Sequence, residues 1–518
     1  MKHLLLLSIG ICLIVNVGIA QSGVENSSLA SQQATTWGAN FPRIKDKVNF
    51  QLFSPHQYGY HLLLDAINIP SAILMFNQQH SLLKNQRFEE EYGYSPLTFR
   101  GVIGSRSDTL AYFSHFSPKS SRQSVFMAPF RNGILGSLNA LVSYEIPTTY
   151  YESAVSNDKY HSIGVISPLY SSPNGTKLAY VQCLSPRMVN AQTDFVLAVM
   201  NESGELIWQR EIERKEVAEY ITIIDVAVSD AGEVFLLAQL SASKTFAAAA
   251  GAPHIAGYRC QVFRISEDTI QDLDIYLDEG LVPTDSKLYF SKSDNGVLTV
   301  SGLYNDLASS VDRDGVFINQ LNLDQKTFTT HTYSFLDFIG EEDSINEYNN
   351  NWQNRLILRD FFRLGNRHFG FITEVSYARS HRNSQFMNYF TNQLVIPWFD
   401  EQGKLLRIAT LEKNLSAYDP KVCSYSIGED GDQLHFLYNT LGNKELLQRS
   451  NTNKKNSIFT LLRTLNAQGQ WSGEKIVAVN TKLGKDILVR RTVFTNSQCF
   501  LVAADRKSFQ IGTSSLDQ

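Results

Sequence analysis

Short apolar runs separated by polar turns recur along this chain of 518 residues. The runs are rich in Val, Ile, Leu, Phe and Tyr, and the segments between them contain Gly, Asn, Asp and Ser, which is typical of β-strands joined by turns. Two kinds of hairpin alternate. In the first, a turn such as Ser229–Glu233 precedes an apolar strand; in the second, as in Phe195–Ile212, an apolar strand and a polar turn precede a strand that often carries an aromatic residue. The pattern predicts an all-β protein.

The alternation of the two hairpins predicts a four-stranded unit that repeats about every 55–75 residues, which is the signature of a β-propeller blade. Each kind of hairpin is found seven times. We therefore expect a seven-bladed β-propeller, closed by pairing of the N-terminal hairpin Ala72–Phe88 with the C-terminal hairpin Ile487–Ala503. Eight blades are the alternative, if Val48–Ala66 forms its own hairpin. Stacked β-sandwiches also contain short strands, but the alternation favours the propeller.

The first residues of the chain resemble a secretory signal peptide. Lys2 precedes an apolar run, Leu4–Val17, and the small residues Gly18 and Ala20 follow it, which predicts cleavage after Ala20. A membrane anchor and a lipid anchor at Cys12 are the alternatives. We expect export to a periplasmic, outer-surface or extracellular location, with no transmembrane segment after cleavage. The expected organisation is residues 1–20 signal peptide, 21–47 flexible N-terminal extension, 48–510 a single propeller domain and 511–518 C-terminal tail.

Composition and motifs narrow the functional classes. The formal net charge of −5 and the lack of a basic stripe argue against nucleic-acid binding. The 11 His residues are scattered, and no zinc, calcium, phosphate-loop or nucleophile-elbow motif is complete, so neither a metal nor a cofactor is expected. The cysteines that remain after cleavage lie in strand-like runs without CxxC spacing, which favours buried free thiols over disulfides. A glycosidase requires two carboxylates that face each other across its site; Asp360 and Glu374, near strand ends, are candidates, but the sequence does not pair them.

The connections between hairpins are longer than the turns within them, and they emerge together on one face of a propeller, here called the long-loop face. Ligand sites are often carried by variable loops on a rigid scaffold. The segment Ser376–Asn392, predicted as a loop, is the richest in Arg and aromatic side chains, which suit carboxylates, sugars or a protein edge. The candidate ligand or partner residues are Tyr377, Arg379, His381, Arg382 and Tyr389, with Arg187 from another loop.

Asp230 lies on the opposite face, in the turn "SDAGE". An Asp-x-Gly sequence binds metals in some proteins, but other turns of this kind in the chain lack the carboxylate. We therefore expect Asp230 to support its own turn through its side chain and Gly232 to adopt a positive φ.

Several segments resemble secreted β-propeller proteins of Bacteroidetes-type bacteria. These segments are "SPNGTKLAYVQ", "DFVLAVMNESGELIWQREIE", "AVSDAGEVFLLAQL", "LVIPWFDEQGKLLRIATL" and "RLILRDFFRLGNRHFGFITEVSYA". The resemblance implies an exported propeller and assigns no catalytic residue. We expect a binding or scaffolding module that holds a protein or glycan partner at the cell envelope on its long-loop face. A propeller enzyme acting on polysaccharide, either a lyase or a glycoside hydrolase, and a subunit of a cell-surface or secretion complex are the alternatives.

Overall fold

A computed structural model gives the architecture of the chain. It describes residues 35–37, 39, 41–42, 49–56, 59–66, 69–87, 91–92, 95–104, 109–131, 134–145, 169–183, 195–212, 220–241, 258–275, 277–290, 296–306, 314–325, 327–335, 356–364, 368–380, 387–417, 420–423, 425–452, 456–495, 497–505 and 508–516. In these ranges, no helix has the length and apolar character needed to span a membrane.

The strands form eight blades arranged as a β-propeller. Two short strands, β1 (Thr36–Trp37) and β2 (Phe41–Pro42), precede the first blade, and β7 (Glu91–Tyr92) pairs with β8 (Ser95–Pro96). Blade 1 contains β3 (Asn49–His56), β4 (Gly59–Ala66), β5 (Ile69–Phe76) and β6 (Leu82–Arg87). Blade 2 contains β9 (Thr98–Gly104), β10 (Thr109–Ser117), β11 (Arg122–Arg131), β12 (Ile134–Leu135) and β13 (Asn139–Glu145). Blade 3 contains β14 (Leu169–Ser171), β15 (Lys177–Cys183), β16 (Phe195–Asn201) and β17 (Leu206–Ile212).

The remaining blades follow in chain order. Blade 4 contains β18 (Tyr220–Val228), β19 (Val234–Ser241), β20 (Tyr258–Ile265) and β21 (Ile270–Asp274). Blade 5 contains β22 (Leu281–Phe290), β23 (Val297–Asp306), β24 (Gly315–Asn322) and β25 (Thr327–Ser334). Blade 6 contains β26 (Leu356–Leu364), β27 (His368–Ser380), β28 (Met387–Asp400) and β29 (Leu405–Ala417). Blade 7 contains β30 (Tyr425–Asp430), β31 (Gln433–Leu441), β32 (Ile458–Asn466) and β33 (Lys475–Val479). Blade 8 contains β34 (Asp486–Ile487), β35 (Val493–Phe494), β36 (Gln498–Ala504) and β37 (Ser508–Ser515), together with β1 and β2.

Short helices lie between some of these strands. They are α1 (Pro420–Cys423), α2 (Lys444–Arg449) and α3 (Asn480–Leu483), and a 3-10 turn covers Val489–Arg491.

The hydrophobic core lies between the blades rather than inside any one sheet. In the described part of the chain, a buried apolar cluster is found at each junction of successive blades, including the junction of blade 8 with blade 1. Strands in the middle of a blade are covered on both faces, and all of Phe195–Met200 in β16 is buried. This explains why such strands read as continuous apolar runs. Because every blade needs a neighbour on each side, the ring must close for the core to be complete.

The propeller predicted from the sequence is confirmed, with eight blades instead of seven. The additional blade contains β3 and β4, from the segment that the sequence left as an alternative, because they pair with the hairpin of β5 and β6. The closing contact also differs from the predicted one. The hairpin of β5 and β6 belongs to blade 1, and the N-terminal strands that complete the last blade are β1 and β2, which both pair with β37.

Closure therefore uses residues on both sides of the expected 48–510 propeller domain. Thr36 pairs with Thr513, and Trp37 with Gly512. Phe41 stacks on Phe509 with ring centroids 5.3 Å apart and meets Phe76 of blade 1 edge-on at 5.1 Å. The N-terminal segment thus joins the C-terminal strand to the first blade, and the sheet edge of β37 is covered instead of exposed.

The turn that contains Asp230 is held differently from the prediction. Ser229 Oγ, not the Asp230 carboxylate, accepts the backbone N–H of Glu233 at 3.0 Å, and Gly232 has the expected positive φ of 88°. The Asp230 carboxylate instead reaches the turn of the preceding blade, where it accepts from the backbone N–H of Asn174 at 3.1 Å and from its side-chain amide at 2.6 Å. Asp230 therefore links two blades, and no ligand is needed to explain it.

Within the described residues, a second kind of turn has a residue with positive φ that is Gly in three blades and His in one. In the three turns with Gly, an Asn or Asp side chain accepts two backbone N–H groups and the Gly follows three residues later, as in Asn201 to Gly204. The turn between β5 and β6 has the same spacing, from Asn77 to His80. His80 has a φ of 60°, a conformation that costs free energy for any residue with a Cβ.

Contacts of His80 with the closing strands offset this strain. Its side chain is buried, with Nδ1 2.9 Å from Tyr60 Oη and Nε2 3.3 Å from Thr513 Oγ1. Burial lowers the pKa of His80 below its usual value, against the opposing effect of a hydrogen bond with the Thr36 backbone. The neutral imidazole therefore connects blade 1 to both β1 and β37.

Stability should depend on pH through His80. Because its folded pKa is lowered, the unfolded chain binds the proton first, so the stabilisation is present above pH ~6.5 and is lost as the pH falls towards the folded pKa. We expect His80→Gln to flatten this dependence in urea unfolding measured between pH 7.5 and 5. His115→Gln, at a half-buried position on β10, is the matched control. Equal pH slopes for wild type and His80→Gln would contradict this role.

Candidate functional site

The first strands of three consecutive blades carry a bulge at matching places. These strands, β18, β22 and β26, contact one another around the central channel. Their pairing with the second strand skips one residue, which is Ile224, Thr284 and Arg359 respectively. A bulge re-aims the side chains next to it and is common beside functional sites. In all three strands the residue after the bulge is Asp.

Each of these Asp carboxylates reaches the next blade. Oδ2 of Asp225 accepts the backbone N–H of Leu288 at 2.8 Å, and Oδ2 of Asp285 accepts that of Leu358 at 2.8 Å. Oδ2 of Asp360 accepts the hydroxyl of Tyr425 at 2.7 Å. The bulged Asp residues therefore connect blades 4, 5, 6 and 7 around the channel, and they fix the relative positions of the strands that line it.

Behind the third bulge lies a buried ion cluster. Lys413 Nζ donates to Glu374 Oε1 at 2.8 Å, and Arg359 Nε donates to Glu374 Oε2 at 2.9 Å. The Lys413 and Glu374 side chains are 0% and 1% exposed, whereas that of Arg359 is 25% exposed. Lys413 also donates to the carbonyl oxygen of Cys423 at 2.6 Å, on the last residue of α1. Since both Glu374 oxygens are engaged by cations, the cluster is a paired and hydrogen-bonded structural unit.

Burial governs the protonation of the groups around this cluster. It raises the pKa of Tyr425 well above its usual value, and the neighbouring Asp360 carboxylate acts in the same direction, so the phenol stays protonated and donates to Asp360. Burial lowers the pKa of Lys413, against the opposing effect of Glu374. Two of the three donors of its ammonium are used, on Glu374 Oε1 and on the Cys423 carbonyl oxygen.

A cavity of about 460 Å³ opens in front of the cluster. Its walls come from the first strands of blades 5, 6 and 7, and its lining is mostly polar: Lys287, Leu358, Arg359, Asp360, Tyr425, Ser426 and Ile427. The volume is within the range of small-molecule pockets. Lys287 Nζ donates to the carbonyl oxygen of Arg359, which holds the bulge from the side of blade 5.

The cavity lies towards the long-loop face. Residues 358–360 are in the first half of β26, and residues 425–427 begin β30. Both strands enter the ring from the connections between blades, which emerge on that face. Asp230, in the turn between the first two strands of blade 4, lies at the other end of the ring.

The segment predicted as the loop Ser376–Asn392 is largely a strand extension. β27 continues to Ser380 and β28 begins at Met387, with Tyr377 paired to Phe390 and Arg379 paired to Asn388 beyond a bulge at Val375. The loop prediction is wrong here because the polar residues lie in an extended hairpin that β29 also joins, as at Tyr389 and Ala417. Strand pairing of the backbone outweighs the polar composition of the segment.

The candidate residues of this segment do not form one described site. Tyr389 is half-buried against the core cluster at the junction of blades 8 and 1, and its carbonyl oxygen accepts from Cys423 Sγ at 3.5 Å. The backbones of Tyr377 and Arg379 are in β27, and their side chains are outside the described part of the structure. His381, Arg382 and Arg187 lie outside the described residues.

The structure brings together the two carboxylates considered for glycosidase chemistry, but in other roles. Glu374 is almost fully buried and bound to two cations, and Asp360 accepts from Tyr425. A general acid and a nucleophile must both reach the bond that is cleaved. Glu374 does not reach the cavity surface, so the arrangement suits the positioning of Arg359 better than acid–base catalysis.

In the described part of the chain, the other side chains that could bind a metal or act as nucleophiles are dispersed. There, no three His, Cys, Asp or Glu side chains gather as a metal site would require. Cys260, Cys423 and Cys499 are buried free thiols, as the sequence predicted, and burial raises the pKa of Cys260 and Cys499 to about 12.

Sequence reasoning identified Asp360 but not its place at a bulge, and it missed Asp225, Asp285 and Lys413. The available signal was an Asp at a matching place in the first strands of three consecutive blades, within "IIDVA", "PTDSK" and "LRDFF".

No protein-family model matches the sequence, and none of the curated proteins is recognisably similar to it. Among solved structures, a prolyl endopeptidase matches 92% of this chain at 10% identity and a TM-score of 0.37, and this chain covers 54% of its length. The β-propeller domain of the Trilobed protease from Pyrococcus furiosus matches 86% of this chain and 98% of its own, at 10% identity and a TM-score of 0.36. The Dos1 propeller matches 92% and 95%, at 12% identity and a TM-score of 0.39. Scores this low carry no inference about function, and the propeller assignment rests on the sheet topology of this chain.

Proposed function

We propose that this chain is an exported β-propeller binding module that holds a protein or glycan partner at the channel mouth on its long-loop face. The observation that carries the proposal is the polar cavity between blades 5, 6 and 7. Its lining is fixed by the bulged Asp contacts and by the buried ion cluster, so its polar groups are pre-organised. Pre-organisation lowers the entropic cost of binding and favours recognition of a specific partner.

The cluster supports binding better than catalysis. Its most buried carboxylate is bound by Lys413 and Arg359, and the phenol of Tyr425, although it lines the cavity, uses its proton in a hydrogen bond to Asp360. Export is part of the proposal because residues 1–20 have the composition of a signal peptide.

Site-specific photo-crosslinking tests this proposal. The full chain would be produced with a photo-reactive amino acid at Ile427, which lines the cavity, and exposed to an extract of the source cells and their medium. Ile270, an exposed residue on the outer strand of blade 4, is the matched control. We expect one discrete protein or glycan adduct from position 427 that is absent from position 270, and a mature N-terminus at Gln21. Identical adduct patterns from both positions would overturn the assigned site, and an intact Met1 would overturn export.

A further inference from the structure

Arg359 lines the cavity and has hydrogen-bond donors available there, while its contact with Glu374 fixes its position. Arg359 uses Nε to hold Glu374, and among the described residues its two terminal nitrogens have no hydrogen-bond partner. Because Glu374 is held from behind by Lys413, the guanidinium plane is fixed while its outer edge remains available. A fixed guanidinium edge matches the two oxygens of a carboxylate.

Lys287 adds a second cation from the neighbouring blade. Its ammonium donates to the Arg359 carbonyl oxygen, and an ammonium has three donors, so two remain for a ligand. Two cations and one carboxylate, Asp360, line the cavity. Because Lys413 offsets the charge of Glu374 behind Arg359, the two cations of the lining exceed its one carboxylate, which favours an anion over a cation.

The same lining contains groups that suit hydroxyls. Asp360 uses Oδ2 to accept from Tyr425, and within the described ranges its Oδ1 has no partner, so it can accept from a ligand hydroxyl. Ser426 Oγ makes only a long contact of 3.4 Å with the Thr492 carbonyl oxygen. Leu358 and Ile427 add apolar surface. Asp360 repels a phosphate dianion more strongly than a carboxylate monoanion, and a hydroxylated carboxylic acid also has hydroxyls that can donate to Asp360 and Ser426.

Resting on the proposed binding function, we propose that the channel-mouth cavity binds a sugar acid, with the carboxylate on Arg359 and Lys287 and a hydroxyl donated to Asp360. The volume of about 460 Å³ accommodates a monosaccharide and part of a second sugar unit. Glu374 and Lys413 are positioning residues that orient Arg359 and do not touch the ligand.

Isothermal titration of the mature chain with glucuronate, glucose, inorganic phosphate and a dipeptide with a free C-terminal carboxylate tests the ligand class. We expect glucuronate to bind at least about tenfold more tightly than glucose, since the charged hydrogen bonds are absent from the neutral sugar. Phosphate is expected to bind more weakly than glucuronate. Tighter binding of the dipeptide than of glucuronate would identify a peptide as the source of the carboxylate and overturn the sugar-acid assignment.

Variants separate recognition from folding. Arg359→Met should weaken glucuronate binding by about 30-fold or more and Lys287→Met by about tenfold, while binding of glucose stays unchanged. Arg122→Met, at an exposed position on β11 of blade 2, is the matched control and should bind as wild type. If Arg359→Met fails to fold, Lys287→Met still decides the question, because unchanged glucuronate affinity in that variant would contradict the site.

The two proposals fail in distinguishable ways. A specific adduct at Ile427 without glucuronate binding would remove the sugar-acid assignment and leave the binding module intact. If neither the adduct at Ile427 nor glucuronate binding is observed, both the sugar-acid assignment and the binding-module proposal fail.

Discussion

Replacing Lys413 with Met is expected to lower the free energy of unfolding by about 3–5 kcal/mol, the usual cost of removing one partner from a buried ion pair. Lys413 is fully buried, donates to Glu374 at 2.8 Å and to the Cys423 carbonyl oxygen at 2.6 Å, and has a closely matched apolar substitute in Met. Without it, Glu374 keeps only the partly exposed Arg359 as a cation, and the carbonyl oxygen at the end of α1 loses a donor. Urea unfolding followed by circular dichroism measures the change.

Two further variants show whether the loss comes from an uncompensated charge. Lys404→Met, in the turn between β28 and β29 of the same blade, is the control for removal of an exposed lysine, and it should change stability by less than about 0.5 kcal/mol. The triple variant Arg359→Met, Glu374→Leu and Lys413→Met should be more stable than Lys413→Met alone, since well-packed apolar groups often replace a buried ion cluster at little cost. Equal stability of Lys413→Met and Lys404→Met would contradict the structural role of the cluster.

The propeller was predictable from the sequence because its core lies between blades. Strands that are covered on both faces, such as Phe195–Met200 in β16 and Val234–Ala238 in β19, appear as apolar runs that are easily recognised. The turns between them contain residues that favour turn conformations, and Gly232 has the predicted positive φ. Local sequence and tertiary position agree at these places, so the periodicity alone identifies the repeat.

The closing contact was harder to predict, because the strands that make it are short or polar. β1 and β2 have two residues each, too few for any periodicity, and β37 has the sequence "SFQIGTSS". These segments become strands through pairing with each other, which a local pattern does not encode. The sequence therefore placed the closure at the next apolar hairpin along the chain.

The candidate site depended on contacts between residues far apart in sequence. Glu374 and Asp360 were identified as carboxylates of interest, but their partners Lys413 and Tyr425 lie 39 and 65 residues away. The bulge that points Arg359 towards Glu374 is a property of strand register and leaves no composition signal. Single-sequence reasoning could identify these side chains but not their pairing.

Removal of the N-terminal closing strands should have the second large effect. A chain that begins at Lys45, without β1 and β2, is expected to lose about 2–4 kcal/mol of stability, because the half-buried Trp37 and Phe41 side chains lose their contacts with blades 7, 8 and 1. The freed edge of β37 also exposes unpaired backbone groups, so aggregation should increase. Urea unfolding and light scattering of the purified protein measure the two effects.

A chain that begins at Gln33 is the control for the chain that begins at Lys45. It retains β1 and β2, and also Thr35, whose hydroxyl donates to the Val477 carbonyl oxygen at 2.8 Å, and it should match a chain that begins at Gln21 in both measurements. A Trp37→Ala, Phe41→Ala double variant should lose much of the stability while aggregating less than the truncated chain, because the backbone pairing with β37 is kept. If the chain from Lys45 is as stable as the chain from Gln33, the ring is held by the contacts between blades alone, and the N-terminal strands cover the edge of β37 without closing the fold.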